Sequence, residues 1–114
     1  TPVLRAETVR SLTSRQHAGI YDHTFRHVLD WGLGFLINSR RHAHVHLPYG
    51  YGRHASLDTF GHSGSQCSTA FADPAHGLVA AWAFNGMPGE RLHQRRAREL
   101  NTAIYEDVLA ERLR

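Results

Sequence analysis

The feature that most restricts the fold of this chain is a short turn sequence between two apolar runs, "TAFADPAHGLVAAWAF". In its centre, residues 73–77 read "DPAHG", in which Pro fixes φ while Asp and Gly favour the flanking positions of a tight turn. The runs on either side are composed of residues that strands accept. Two such runs joined by a tight turn pair as an antiparallel hairpin. We therefore predict a fold built around an antiparallel sheet.

Three segments are predicted to be strands. Residues 31–38, "WGLGFLIN", alternate large apolar residues with glycine, and residues 59–73 return to strand after a Gly-rich stretch. Residues 78–85 are apolar on both faces, with small side chains on one of them. Strands that are buried on both faces read as continuous apolar runs. We therefore expect residues 78–85 to form a central strand that is covered on both sides.

Helices are predicted at both ends of the sheet segment. Residues 4–12 indicate a short helix, and residues 90–113 indicate a longer terminal helix. The apolar stripe expected on the terminal helix consists of Leu92, Leu100, Ala103, Ile104 and Val108. Residues 17–30 show no clear periodicity of apolar residues and are interpreted as mostly loop. Residues 39–58, rich in His, Gly and Tyr, are interpreted as a long irregular connection between strands. The fold class expected is α+β, an antiparallel sheet flanked by helices, in a single segment over residues 1–114.

Charge and cysteine content exclude several functions. All 13 basic residues are Arg, they are interspersed with 10 acidic residues, and the formal net charge is +3. A mixed-sign helix surface is typical of a solvated face, so we expect no nucleic-acid partner. No apolar run approaches the ~20 residues that span a bilayer, so no membrane partner is expected. The single Cys67 cannot form an internal disulfide, which is compatible with the cytoplasm, and the Arg and Ala bias indicates a bacterial source.

Four short motifs then resemble a known family. They are "WGLGF" at residues 31–35, "FGHSGS" at 60–65, "FADP" at 71–74 and "NG" at 85–86, in that order. Their order and spacing resemble the C-terminal part of the serine beta-lactamase-related superfamily, closest to the class C-like branch that includes family VIII esterases. The resemblance implies a beta-lactamase/transpeptidase-like fold of which this chain is the C-terminal portion. It implies a serine hydrolase that works through an acyl-enzyme, like the penicillin-binding proteins.

The resemblance also assigns roles to single residues. His62-Ser63-Gly64 matches the third active-site motif of the family, with His62 in the cationic or hydrogen-bonding position, Ser63 in the hydroxyl position and Gly64 where the backbone passes close to substrate. Ser65 matches the position whose backbone N–H forms half of the oxyanion hole. Because adjacent strand residues point to opposite faces, His62 and Ser63 are not expected to form a nucleophile–base pair. A His in place of the usual Lys favours an ester substrate over recognition of a beta-lactam carboxylate.

The other two family motifs have no match in this sequence. A Ser-x-x-Lys motif cannot occur because the sequence contains no Lys. Tyr49 and Tyr51 lie in the Gly-rich stretch shortly before the third motif, so they are candidates for the substrate mouth and not for the catalytic Tyr. The implied partners are an upstream part of the same enzyme that carries the nucleophile and a small-molecule ester or amide substrate. No cofactor is implied, and a homo-oligomer is compatible with the sequence.

Two other interpretations are open at this point. The chain could be a catalytically inactive half-domain that serves binding or assembly. It could also be a zinc-binding module, because His42, His44 and His46 would lie on one face of a strand. No carboxylate or Cys stands near these histidines in the sequence, and a solvated hairpin tip is the competing interpretation.

Overall fold

A computed structural model describes residues 2–42 and 49–111 of the chain. Its strands form one antiparallel sheet in which each strand pairs with its neighbours in sequence, in the order β1 to β6. The strands are β1 (His17–Asp22), β2 (His27–Trp31), β3 (Leu36–Ile37), β4 (Phe60–Gly64), β5 (Ser68–Asp73) and β6 (Leu78–Ala83). The helices are α1 (Ala6–Thr13), α2 (Glu90–Val108) and a 3-10 turn (Arg40–His42). The predicted α+β class, an antiparallel sheet with flanking helices, is confirmed.

The hairpin predicted from the turn sequence is present. β5 and β6 pair from Asp73 opposite Leu78 to Ser68 opposite Ala83. Asp73 orders the turn itself, because its carboxylate accepts a hydrogen bond of 3.1 Å from the Ala75 backbone N–H. The single strand predicted over residues 59–73 is instead two strands, β4 and β5, which are joined by a tight turn at residues 65–67.

The first half of the sheet differs from the prediction. Residues 17–30 were expected to be loop, yet they form the β1–β2 hairpin. Five of the six residues of β1 are exposed, so this strand has no alternation of apolar and polar residues to reveal it. Residues 31–38 are not one strand either, because Gly32 N–H bonds Phe35 O at 2.8 Å and the chain turns between β2 and β3.

A polar face of α2 packs on the sheet, which corrects the predicted apolar stripe. Leu92 and Val108 are 54% and 63% exposed. The buried positions of the helix instead recur every fourth residue, at His93, Ala97, Asn101 and Tyr105. The polar members of this row find partners on the sheet, since Asn101 Oδ1 accepts from Trp82 Nε1 at 2.9 Å and the Tyr105 hydroxyl donates to Asp73 Oδ2 at 2.6 Å.

The prediction that residues 78–85 form a doubly covered central strand is wrong. β6 is the last strand of the sheet. One of its faces is half-buried beneath α2, but on the other Val79 is 78% exposed, and Ala81 and Ala83 are exposed as well. The hydrophobic core lies between the sheet and α2 and consists of Leu29, Leu36, Tyr49, Tyr51, Ala55, Phe71, Tyr105 and Leu109.

A buried carboxylate fixes the segment that follows β3. Asp30 is fully buried and accepts hydrogen bonds from Arg15 Nε at 2.7 Å and Arg41 Nε at 3.0 Å, and His42 Nε2 lies 2.8 Å away. Burial alone would raise the pKa of Asp30, but these bonds hold it well below its usual range. Asp30 therefore remains charged and ties the 3-10 turn to β2.

Candidate active site

The His62-Ser63-Gly64 motif lies on a stretch of β4 that is paired on one side only. β5 pairs with all of β4, whereas β3 pairs with it only at Phe60 and Gly61. Within the described residues, the edge of β4 beyond Gly61 therefore has no strand beside it. Unpaired backbone N–H and C=O groups on a strand edge can hydrogen-bond an extended ligand. We call this stretch the open edge because no described strand lies beside it, although the Ser63 backbone on it is contacted by His62 Nδ1 and by Tyr49.

The His62 side chain is exposed but held from two sides. Its ring centroid lies 5.9 Å from that of Trp31 and 5.7 Å from that of Tyr49. Its Nδ1 is 2.6 Å from the backbone oxygen of Ser63. A carbonyl oxygen can only accept a hydrogen bond, so the proton lies on Nδ1 and Nε2 of the neutral ring is an acceptor. In the sequence Trp31 stands in the WGLGF motif without an assigned role, whereas the structure places it against His62.

Ser63 faces a different set of partners. Its Oγ lies 3.0 Å from Oγ1 of Thr69, a buried residue of β5. Tyr49 also hydrogen-bonds Ser63, although burial outweighs this bond and raises the pKa of Tyr49 to about 12. The Tyr49 hydroxyl therefore stays protonated at neutral pH. The Ser63 hydroxyl contacts Thr69 and Tyr49, whereas His62 Nδ1 contacts the backbone oxygen of Ser63, so no hydrogen bond joins the two side chains as a nucleophile–base pair requires.

Ser65 begins the tight turn that follows β4. Cys67 N–H bonds Gly64 O at 3.0 Å, and the two central residues, Ser65 and Gln66, have φ of 47° and 59°. Positive φ at both central positions is the pattern of a type I′ turn. Ser65 is exposed, and its N–H has no acceptor among the described residues. The position proposed for oxyanion binding thus presents a free backbone donor next to the open edge.

The two candidate mouth tyrosines are both buried members of the hydrophobic core, and Tyr49, like Tyr51, is only 4% exposed. Tyr49 contacts His62 as described above. Tyr51 is 4% exposed, and its hydroxyl donates to Leu36 O at 2.7 Å. Its ring centroid lies 6.1 Å from that of Tyr49 and 5.5 Å from that of Phe71, so Tyr51 supports Tyr49 from the core. A role for either tyrosine in substrate binding stays a prediction.

A cleft lined in part by Trp31 was not indicated by the sequence. It is lined by His17, Ile20, Tyr21, Asp22, Trp31 and Gly32. Trp31 Nε1 donates to Asp22 Oδ2 at 3.2 Å, which fixes the indole between this cleft and His62. The sequence did not predict this cleft because residues 17–30, which contribute most of its lining, were interpreted as loop.

The zinc hypothesis rests on residues of which only one is described. His42 lies beside Asp30, while His44 and His46 fall outside the described residues. Across residues 2–42 and 49–111, no group of three or more His, Cys, Asp or Glu is arranged to hold a metal ion.

An open strand edge, a backbone donor without a described acceptor in the following turn and a helix packed across the sheet occur together in this α+β fold. Comparison with known proteins identifies the family. The family model described as Beta-lactamase matches residues 1–103, and the chain belongs to that family. The resemblance found in the sequence motifs is thereby confirmed.

Two solved structures share this fold. A beta-lactamase from Mycobacterium bovis is 27% identical with a TM-score of 0.68, and the match covers 95% of this chain and 38% of that one. EstA from Arthrobacter nitroguajacolicus Rue61a is 25% identical with a TM-score of 0.50, and the match covers 90% of this chain and 26% of EstA. No curated protein matches the chain. Among the helices of the described part, none is long and apolar enough to cross a membrane.

Proposed function

We propose that this chain forms one wall of the active site of a serine hydrolase that cleaves small esters through an acyl-enzyme. The observation that carries the proposal is the free Ser65 N–H beside the unpaired edge of β4 at His62. Acyl transfer builds negative charge on the carbonyl oxygen of the substrate. A fixed N–H directed at that oxygen stabilises the transition state, and the loss of one such donor typically costs about 10²–10³ in kcat.

The nucleophile comes from a segment outside this sequence, because the family's Ser-x-x-Lys motif needs a lysine and the chain has none. The serine oxygen attacks the ester carbonyl carbon, and the alcohol leaves with a proton. Water then hydrolyses the acyl-enzyme and releases the acid. The match to the beta-lactamase from Mycobacterium bovis, which spans 38% of that chain, supports a larger enzyme of which this is a part.

His62 favours an ester as substrate. A Lys at this position would carry a permanent positive charge that suits a substrate carboxylate. An imidazole that donates from Nδ1 to the Ser63 backbone oxygen offers Nε2 as an acceptor for a hydroxyl or a leaving group. Tyr49 completes the wall behind His62, with its ring 5.7 Å away. Gly64 keeps the backbone accessible, and the contacts of Ser63 with Thr69 and Tyr49 fix the direction of the strand.

The first test uses the polypeptide that carries this sequence, purified from its source. We would measure its intact mass, its labelling by a fluorophosphonate probe and its hydrolysis of p-nitrophenyl butyrate. Label on a serine outside residues 1–114, in the same or a co-purifying polypeptide, together with ester turnover, supports the proposal. A single folded species of 12.9 kDa that neither labels nor turns over the ester would overturn it. The binding half-domain would then be the better interpretation.

The second test separates His62 from other histidines. His62→Ala should lower kcat for p-nitrophenyl butyrate by about 10²-fold, a typical loss for a proton-transfer or hydrogen-bonding group. His23→Ala is the matched control, because His23 is an exposed histidine of the β1–β2 hairpin. His62→Lys should shift the preference towards substrates that bear a carboxylate. Equal activity of the wild type and His62→Ala would remove His62 from the site.

A further inference from the structure

The turn after β4 adopts a conformation that its residues disfavour. Ser65 and Gln66 both have positive φ, at 47° and 59°. Type I′ turns normally contain Gly, Asn or Asp at these positions, because a side chain with a Cβ is crowded there. Two consecutive residues of this kind cost conformational free energy, and such strain persists only where surrounding structure enforces it. The turn therefore needs an external support.

Arg96 of α2 provides a contact to this turn across 30 residues of sequence. Its Nη2 donates to Gln66 O at 3.2 Å and to Gly86 O at 3.3 Å. Its guanidinium carbon also lies 4.3 Å from the ring centroid of Phe84, over the face of the ring. Phe84 in turn donates from its backbone N–H to Cys67 O at 2.7 Å. Arg96 thus joins α2, the end of β6 and the turn.

The environment of Arg96 is costly in free energy. Within the described residues, two buried side-chain nitrogens have no hydrogen-bond partner, and these are Arg96 Nε and the neighbouring His93 Nε2. An unsatisfied buried donor destabilises the folded state, and each one calls for an explanation. A helix that served only to cover the sheet would be more stable with apolar residues here. The contact of Arg96 with the Gln66 carbonyl offers the reason for placing a guanidinium at this point.

We propose that Arg96 is a positioning residue that holds the turn at Ser65 and Gln66 in its positive-φ form and so keeps the Ser65 N–H beside the open edge of β4. The inference rests on the proposed function, since the Ser65 N–H matters only if it receives an oxyanion. Arg96 itself does not touch the reacting atoms.

The simpler alternative is that Arg96 only attaches α2 to the sheet. A substitution in the turn distinguishes the two roles. Gln66→Gly removes the crowding at positive φ, because glycine adopts this conformation readily. If Arg96 holds the turn, Gln66→Gly should make the arginine largely dispensable. If Arg96 only attaches the helix, replacing Arg96 should reduce kcat and Tm by the same amount whether or not Gln66→Gly is present.

The first measurement is the steady-state hydrolysis of p-nitrophenyl butyrate by the same purified protein. Arg96→Met should lower kcat roughly ten- to a hundredfold with KM within about twofold, because a misplaced donor is felt in the transition state. Arg96→Met/Gln66→Gly should recover most of the loss. Arg95→Met is the control, because Arg95 is exposed on the same helix and has no hydrogen bond to any described residue; its kcat should match that of the wild type.

The second measurement is the melting temperature of the same variants, which does not depend on activity. Arg96→Met should lower Tm, and Gln66→Gly in the same chain should restore most of it. If Arg96→Met does not fold, Arg96→Lys replaces it, because a lysine keeps the charge but cannot reproduce the guanidinium contacts.

The two failures give different results. A wild type without esterase activity overturns the proposed function, while the Tm measurement still reports whether Arg96 holds the turn. An Arg96 substitution that lowers Tm by the same amount with and without the Gln66→Gly change overturns the positioning role. So does a loss of kcat that Gln66→Gly does not relieve in an active enzyme.

Discussion

Replacing Gly61 by Ala should destabilise the sheet more than the same change at Gly19 or Gly64, the other glycines of the described strands. Gly61 lies opposite Phe71 in the β4–β5 ladder. A Cβ at Gly61 would lie 2.2 Å from Ala70 O and 2.8 Å from both Cα and Cβ of Phe71. Two of these three atoms belong to the backbone, so no side-chain rotation relieves the clash. The strands themselves must separate.

The size of the effect follows from that separation. To reach even a tight contact of 3.0 Å, the Cβ and Ala70 O must move apart by roughly 0.8 Å. Overpacking of this kind costs about 1–3 kcal/mol. The stretched ladder on either side weakens hydrogen bonds worth about 1 kcal/mol each. We expect Gly61→Ala to lower the free energy of unfolding by about 3 kcal/mol or more.

Gly77→Ala is the matched control for this substitution. Gly77 has φ of 62° and no atom within 4 Å of its Cβ position, so it reports only the conformational cost of a methyl group. That cost is about 1–2 kcal/mol. Urea unfolding followed by the fluorescence of Trp31 and Trp82 measures both variants. A loss for Gly61→Ala no larger than that for Gly77→Ala would refute the close packing of β4 on β5.

Two further predictions concern pH. Burial would raise the pKa of Asp73, but hydrogen bonds from Tyr105, Ser56 and His76 hold it well below its usual range. Tyr105→Phe removes one of these bonds to a charged group, so it should lower the free energy of unfolding by about 1.5–3 kcal/mol at pH 7. A carboxyl group whose pKa is depressed by folding stabilises the protein above its unfolded pKa of 3.8. The difference in unfolding free energy between Tyr105→Phe and the wild type, measured with urea, should therefore narrow as pH falls below 3.8. A difference that stays constant would contradict this. In the folded protein, burial lowers the pKa of His93 from 6.5, so on acidification the unfolded chain binds a proton at this residue before the folded chain does. The free energy of unfolding therefore falls as pH drops through 6.5, by at most about 1.4 kcal/mol per pH unit from His93. His93→Phe should flatten the slope measured between pH 7 and pH 5, and an unchanged slope would exclude His93 as its source.

The sequence predicts those helices, strands and turns whose local residue preferences agree with the contacts they make in the folded protein. The turn at residues 73–77 carries its own conformational preferences, and the terminal helix lies in a long segment without breakers. β1 was not predicted because its side chains are exposed and show no apolar alternation. β2 was not predicted because Asp30, which is buried in the structure, is a residue type usually found on the surface. A carboxylate is tolerated inside the sheet because Asp30 has tertiary partners, which include Arg15, Arg41 and His42. The row from His93 to Tyr105 on α2 was missed for the same reason, although its spacing of four residues was visible.

The family motifs select candidate site residues, whose roles stay a prediction. Those motifs selected His62 to Ser65, and the structure places these residues at an open edge and a tight turn. The contact of Trp31 with His62 and the role proposed for Arg96 were not predictable from one sequence. Both approach the site from distant elements, and neither stands in a motif that assigns it such a role. The conformation of Ser65 and Gln66 was also hidden, because neither residue type signals positive φ.

The strictly sequential order of the six strands has a consequence for how this chain acquires its structure. Four of the five strand pairings join segments separated by only a few residues, so their contacts are local and can form quickly. The exception is the pairing of Ile37 with Phe60, which must close a loop of more than twenty residues. Closing that loop carries the largest entropic penalty in the sheet. We expect the β1–β2 and β4–β6 parts to form first, and their joining through β3 to limit the folding rate.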